Sequence, residues 1–530
     1  MTPSRLFIGL RILASTVVSL LIILAMADLW SFLAPGVVRI VTWLQFLPSL
    51  VRALTAFGLL AAGFILVLAL TLLFGRIYCS FLCPLGAFMD WVIAIRRRIS
   101  NLKFKYAKPG ILRYFILAGI AVSLLFGSMH LINILDPYSI FARSAQALVR
   151  PLAIGLNNLI AQAAELAGYY GVVPYPFSLP PLPVLGAIMA WLALVVWMAA
   201  ARGRLYCNTL CPVGAFLGLA SRFSVFKISM DEEKCIQCGA CSKRCKASCM
   251  DVENKTVDAS RCVMCLDCLS LCPVDAVEFA NPSAIRKVET DPARRSLLLI
   301  GAFLLTGLPS RSAAETGHGY PGAIIEESLA ASSNEPLGPP LPIERTASLV
   351  PPGGMGRDHF TSACTGCHLC VAACPSHVIR PEVVAHQGKG LLAPALSYEK
   401  GFCNYNCNAC TMVCPSGAIL AKGLEDKKRV QLGRAQFIKQ NCVVATKGTE
   451  CVACAEHCPT GAVKIVREQG GPGLPKVDED VCVGCGACEF ACPAKPYKAI
   501  YVKASLIHGQ ALPPKKGESV QNLVGEDFPF

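Results

Sequence analysis

Acidic residues are nearly missing from the first 228 positions of this 530-residue chain, where four Asp/Glu stand against 18 Lys/Arg. Charge of either sign is scarce throughout, at 16% of residues, and mean hydropathy is +0.51. Together these exclude a disordered chain and argue against a purely soluble one. The formal charge is +14, yet neither a nucleic-acid recognition motif nor a basic helix accompanies it, so we read no nucleic-acid partner. The excess lies wholly in the first 228 residues, since 229–314 and 315–530 each balance to zero. The first apolar run lacks a small-residue cleavage site and is too long for a signal peptide, so it reads as a span.

Four apolar runs, near 6–33, 51–74, 111–134 and 184–201, are each long enough to cross the hydrocarbon layer as a helix. They predict a four-helix transmembrane domain over 1–228. Arg96, Arg97, Arg98, Lys103, Lys105 and Lys108 cluster between runs two and three. Basic flanks face the cytoplasm, which puts the N-terminus and the chain after run four inside and 136–181 outside. Residues 229–293 form a small cysteine-rich domain. Arg294 and Arg295 then precede a short apolar stretch at 297–308, which reads as an internal signal or a thinned fifth span over 294–314, with Ala313/Ala314 as a cleavage site. Residues 315–356 read as a linker, 357–505 as a second cysteine-rich domain, and 506–530 as a tail.

The chain has 29 cysteines, too many for packing alone in a protein far too long for a small disulfide scaffold. Cys235, Cys238, Cys241 and Cys245 form a C-x2-C-x2-C-x3-C run, and Cys262, Cys265, Cys268 and Cys272 form another. This is the bacterial ferredoxin signature, in which each fourth cysteine serves the other cluster. The ligand sets are then Cys235, Cys238, Cys241 with Cys272, and Cys262, Cys265, Cys268 with Cys245. Lys246 replaces the expected proline and Cys249 follows, so Cys245 and Cys249 compete for the last place. Four more runs follow: Cys364, Cys367, Cys370, Cys374; Cys403, Cys407, Cys410, Cys414; Cys442, Cys451, Cys454, Cys458; and Cys482, Cys485, Cys488, Cys492. Each ends in Cys-Pro, a poor pattern for zinc or disulfides, and the six runs predict six [4Fe-4S] clusters. Cys364-Thr-Gly-Cys367-His368 also spells a c-type haem attachment sequence. That reading would strand Cys370 and Cys374.

GRIYCSFLCPLGAF from Gly75 and GRLYCNTLCPVGAF from Gly203 are an internal repeat. In a continuous helix Cys79 and Cys83, like Cys207 and Cys211, would share one face. Two such pairs could supply four thiolates to a seventh iron-sulfur or other metal centre; the alternative is small residues for close helix packing.

At these residues the membrane part resembles the NapH/NosR family of polyferredoxins. The part from Arg294 onward resembles NapG and MauM, by its paired arginines, the approach VPPGGMGRDHF and the long gap from Cys442 to Cys451. The resemblance implies NapH fused to NapG: a quinol dehydrogenase of the bacterial inner membrane, with a cytoplasmic first ferredoxin and a periplasmic C-terminal one. It would take electrons from the quinone pool and pass them to a periplasmic reductase, such as nitrate reductase, or to a cytochrome. It also implies that runs one and four of the C-terminal domain pair, and runs two and three. The sets become Cys364, Cys367, Cys370, Cys492; Cys482, Cys485, Cys488, Cys374; Cys403, Cys407, Cys410, Cys458; and Cys442, Cys451, Cys454, Cys414. Quinol oxidation needs a proton acceptor, and the ionisable groups near the outer span ends, His130, Asp136 and Asp28, are the candidates. A second reading is a polyferredoxin that supplies reducing power for maturation or regulation of a metalloenzyme.

Overall fold

The computed structural model describes residues 3–30, 32–55, 62–100, 104–108, 110–177, 179–281, 338–345, 347–467 and 471–514. The paired arginines and the apolar stretch of 294–314 lie outside the described residues.

The described residues up to 220 form helices and their connections: α1 (Pro3–Ala27), α2 (Pro35–Trp43), α3 (Phe46–Thr55), α4 (Gly63–Phe74), α5 (Tyr78–Phe81), α6 (Pro84–Ile99), α7 (Leu112–Leu125), α8 (His130–Leu135), α9 (Pro137–Leu166), α10 (Leu182–Arg202), α11 (Leu205–Thr209) and α12 (Pro212–Ala220). Among the described residues, two helical segments, Leu6–Ala27 and Leu182–Arg202, are long and apolar enough to cross a membrane. α2 and α3 form a bent pair, turned by 94°, that reaches the same threshold only as one broken span. Runs two and three are realised as the shorter apolar helices α4 and α7. Gly75, at φ +74°, ends α4, and a glycine–serine–methionine turn separates α7 from α8. The long amphipathic helix in this half is instead α9, capped by Asp136, which accepts from Ser139 N at 2.9 Å.

Both cysteine-rich regions are assembled from two-stranded antiparallel sheets and one-turn helices. In the first, Lys227–Met230 pairs with Val277–Ala280. Its contact with the helices is direct: Val225 N and Phe226 N donate to Leu72 O and Leu73 O of α4. The basic stretch after α6 lies on the same surface. Phe104 N donates to Lys243 O at 3.1 Å, and Arg97 donates to Arg244 O at 3.0 Å.

In the C-terminal region Val430–Phe437 pairs with Ile500–Gln510 through a register shift between Ala504 and Gly509. That strand runs five residues beyond the expected edge at 505, because Gly509 and Gln510 still find partners in Gln431 and Val430. The expected linker also ends earlier than 356. Asn441 bonds Leu341 on both its backbone groups, and Leu349 bridges to Leu396. This domain meets the helices at α2, α3 and α8. Arg39 donates to Met412 O, Arg52 to Cys414 O and Asn133 to Leu391 O at 2.9 Å.

His386 is fully buried there. Its ring packs edge-on against Phe360, and Nε2–H donates to Pro394 O at 3.1 Å. Burial lowers its pKa below the ordinary value of about 6.5. The unfolded chain therefore takes up a proton that the native one resists, and stability falls as pH drops below about 6.5. His386→Gln should flatten this slope, measured as the pH dependence of visible-absorbance bleaching on heating.

Candidate iron-sulfur sites

The internal repeat builds one pseudo-symmetric site in which the shared arginines, tyrosines, cysteines, prolines and second glycines of the two copies each have a task. Cys79, Cys83, Cys207 and Cys211 are all buried, at 3–4% exposure. They do not lie on continuous helix faces, as the sequence suggested. Proline breaks each helix: Pro84 and Pro212 open α6 and α12 at the first turn, where a missing N–H is harmless. Cys83 and Cys211 thereby become extended N-cap residues, and Cys211 Sγ accepts from Gly214 N at 3.3 Å. Cys211 has Cys207, Cys79 and Cys83 as electrostatic neighbours.

The two arginines cross between the copies. Arg76 donates to Cys207 O at 3.1 Å and lies 3.8 Å from Cys79 Sγ. Arg204 donates to Cys79 O at 2.9 Å and lies 4.0 Å from Cys207 Sγ. Glycine is required beneath each crossing. A Cβ on Gly86 would stand 2.3 Å from Cys79 O and 2.6 Å from the Arg204 guanidinium; on Gly214 it would stand 2.1 Å from Cys207 O and 2.7 Å from Arg76. The tyrosines brace the outer side, Tyr78 Oη donating to Gln45 Oε1 and Tyr206 Oη to Leu135 O.

Charge provides the test of fit. Arg204 is matched by Asp90, which also meets Arg11 and Lys246; Asp267 meets the same two. Arg76 is fully buried, bonds only neutral groups and the Cys79 sulfur, and leaves its Nε unpartnered. An unmatched buried guanidinium costs several kcal/mol. Thiolates at the four cysteines would supply the missing negative charge, so the residues present fit a bound cluster. Lys246, the departure from the ferredoxin pattern, belongs to this network and ties the first ferredoxin to α6.

The ferredoxin cysteines gather as follows. Cys235, Cys238, Cys241 and Cys272 line one cavity. Cys262, Cys265 and Cys268 face Cys245. Cys249 Sγ lies 3.5 Å from Cys245 Sγ. With the Cys249 thiol as donor, this bond lowers the Cys245 pKa, and together with a second one to Cys262 it raises that of Cys249. This arrangement and the run spacing favour Cys245 as the ligand, with Cys249 also beside Cys262.

In the C-terminal domain the exchange differs from the one the resemblance implied. Cys442, Cys451 and Cys454 line a cavity with Cys492, not Cys414. Burial pushes Cys454 up to about 12, with Cys492 next in effect. Cys482, Cys485 and Cys488 have Cys458 beside them rather than Cys374. Cys364, Cys367 and Cys370 have Cys414 rather than Cys492, and Cys403, Cys407 and Cys410 have Cys374 rather than Cys458. The physical reason is helix contact: Leu369–Ala372 packs on Ala409–Val413, and Ala453–Glu456 packs on Ala487–Ala491. Runs one and two therefore pair, as do three and four.

A further signal was legible and missed. In four runs, the residues flanking the second cysteine are left-handed: Gln237 and Gly239, Met264 and Leu266, Gly366 and His368, Gly484 and Gly486. Alternating handedness turns successive backbone N–H groups inward as a nest for an anion. His368 serves this turn rather than haem: it is buried, and Nε2–H donates to Leu392 O at 2.9 Å. Among the described residues no three of His, Cys, Asp or Glu could share a single metal ion. A cubane fits instead, because each thiolate binds a different iron.

Of the quinol-site candidates, His130 uses both ring nitrogens, with Ser128 Oγ at 2.6 Å and Gly388 O at 2.8 Å. Asp28 accepts from three backbone N–H groups, of Trp30, Phe32 and Leu33. Asp136 caps α9 through one oxygen and leaves the other unpartnered.

Comparison with known proteins agrees with this geometry. A family described as a 4Fe-4S binding domain matches residues 55–103 and 184–231, one copy of the repeat in each. A 4Fe-4S dicluster domain matches 363–418 and 447–495, and a further 4Fe-4S binding domain matches 262–276. The ferredoxin-type protein NapG of Escherichia coli is 30% identical over 172 residues, 31% of this chain and 73% of that protein. The methylamine utilization ferredoxin-type protein MauM of Methylorubrum extorquens is 32% identical over 152 residues, 27% of this chain and 68% of that protein. This chain belongs to the NapG/MauM family of ferredoxin-type proteins. NapF of Escherichia coli is 27% identical over 154 residues, 29% of this chain and 85% of that protein. No solved structure matches the chain. As a member of the NapG/MauM family it is an iron-sulfur electron-transfer protein, here joined to helices apolar enough to cross a membrane.

Proposed function

We propose that this chain oxidises quinol within the membrane and delivers electrons to a periplasmic reductase or cytochrome, as NapH and NapG joined in one polypeptide. The observation that carries the reading is continuity through one packed body. α1 touches the first ferredoxin through Arg11 and Asp267. About 22 Å further along the same helix, Met26 and Leu21 line a crevice with Leu369 of run one. The repeat lies between, tied to the first ferredoxin by Ser80 to Val263 O and Asn208 to Ala247 O. Clusters at these sites would supply one-electron carriage. The ligands we assign are the four repeat cysteines and the six sets given above, with Cys374, Cys414, Cys458 and Cys492 in their exchanged places. In this reading α4 and α7 complete a four-span domain, with the first ferredoxin inside and the second outside.

The residues divide the remaining work. Arg76 and Arg204 hold countercharge at the repeat, Pro84 and Pro212 aim Cys83 and Cys211 inward, and the free oxygen of Asp136 accepts a quinol proton. The test is anaerobic addition of menaquinol to the full chain in lipid nanodiscs, followed by electron paramagnetic resonance. Signals of reduced iron-sulfur centres should appear within the mixing time. Their absence, with dithionite still producing them, would rule out quinol as the donor.

A further inference from the structure

The four cysteine sites of the C-terminal domain follow one another in space as run one, run two, run four and run three. Leu369–Ala372 of run one packs on α1 and α9, and also on Ala409–Val413 of run two. Cys403 N of run two donates to Cys485 O of run four at 2.9 Å, and Tyr398 Oη donates to Gly484 O beside it at 2.7 Å. Ala487–Ala491 of run four packs on Ala453–Glu456 of run three. The site of Cys442, Cys451, Cys454 and Cys492 therefore stands last in the series that begins at the helices.

That last site is open to solvent. Val452, directly after its second ligand, is 45% exposed. The same place holds His368 in run one and Gly486 in run four, both buried, and Asn408 in run two, half-buried. The surroundings are basic. Lys447 ends the helix that follows Cys442, and Lys476 and Lys495 stand next to Pro475 and Ala494, which line the cavity. All three lysines are exposed. Lys498 donates to Cys492 O. Of the carboxylates beside Val452, Glu450 lies 3.6 Å from Arg467 and Glu456 is exposed. Run four, by contrast, is preceded by Asp478, Glu479 and Asp480, all exposed.

We propose that the run-three face is the electron exit, and that it docks an acceptor protein whose redox centre sits behind an acidic rim. Val452 supplies the apolar centre of the contact and the lysines its charged edge. One electron leaves the run-three centre, which is oxidised, and enters the acceptor's centre, which is reduced. No bond or proton changes. The acidic residues at 478–480 turn such a partner away from run four.

The inference rests on the outward flow proposed above, and the experiment starts from dithionite so that the two can fail separately. The full chain, in nanodiscs of neutral lipid, is reduced with dithionite and freed of the excess. The probes are cytochrome c, a basic protein, and the same protein made acidic by succinylation of its lysines. At low salt the acidic form should bind more tightly and be reduced about tenfold faster, and the difference should largely vanish at about 1 M salt. Lys447→Glu/Lys495→Glu should weaken binding of the acidic form and slow its reduction by about tenfold, with visible absorbance reporting intact clusters. Lys400→Glu/Arg429→Glu, on the run-two side, should change neither. Should the run-three glutamate pair lose its clusters, Lys447→Ala/Lys495→Ala decides. Equal behaviour of the two probes at low salt, an unchanged run-three variant, or an equal loss in the run-two variant would overturn the exit. If the dithionite experiment succeeds and menaquinol reduces nothing, the exit stands and the quinol reading fails.

Discussion

Arg76→Gln is expected to remove about four iron atoms per chain, with the ferredoxin clusters retained. The effect is electrostatic and needs no cluster geometry. Arg76 is fully buried and meets no carboxylate among the described residues, so its charge is tolerated only where thiolates answer it. The converse holds as well: four thiolates at Cys79, Cys83, Cys207 and Cys211 cannot be held in an apolar interior without Arg76 and Arg204. Glutamine keeps hydrogen bonds and removes the charge. Gly214→Ala should have the same outcome by a different route, because its Cβ would meet Cys207 O at 2.1 Å and push the Arg76 fork aside. Iron and acid-labile sulfide per chain, with helical content from circular dichroism as the control, are the measurements. Arg76→Lys, which keeps the charge and loses the fork, should retain more iron than the glutamine variant.

The second large effect concerns the C-terminal exchange. Cys414→Ala should disturb the centre held by Cys364, Cys367 and Cys370, and Cys492→Ala the one held by Cys442, Cys451 and Cys454. Each variant should lose or convert one cluster, up to about four iron atoms. The double variant Cys414→Ala/Cys374→Ala should affect both centres of the first pair and leave the second pair intact. Mössbauer or paramagnetic resonance spectra of the variants distinguish the arrangements. If Cys492→Ala altered the run-one centre instead, the exchange implied by resemblance to NapG would be restored.

These two cases also mark how far the sequence was readable. The cysteine runs are local, and so are the spacings that bind them into clusters; the repeat was visible as text. The α1 and α10 spans were equally plain, since length and hydropathy decide them. What escaped was non-local. Nothing near Gly75 announces that Arg76 crosses to Cys207, 131 positions away. Run pairing depends on which one-turn helices touch, and six nearly identical runs give no local hint of it. The helix breaks at Cys83 and Cys211 were different: Pro84 and Pro212 were in view, and a proline at that place starts a helix rather than continuing one. The same holds for the glycines at 239, 366, 484 and 486, whose left-handed turns mark the nests. α7 ended shorter than its apolar run because the turn after Phe126 stops the helix before hydropathy falls; α4 ends with its run at Gly75, and 56–61 of that run lie outside the described residues.

The most direct measurement is the iron and acid-labile sulfide content of the purified full chain beside a Cys79→Ser/Cys207→Ser variant. Six ferredoxin sites and one repeat site predict about 28 iron atoms in the wild type and about 24 in the variant. About 24 in both would contradict the account, leaving the repeat as packing and breaking the path between the two ferredoxin domains.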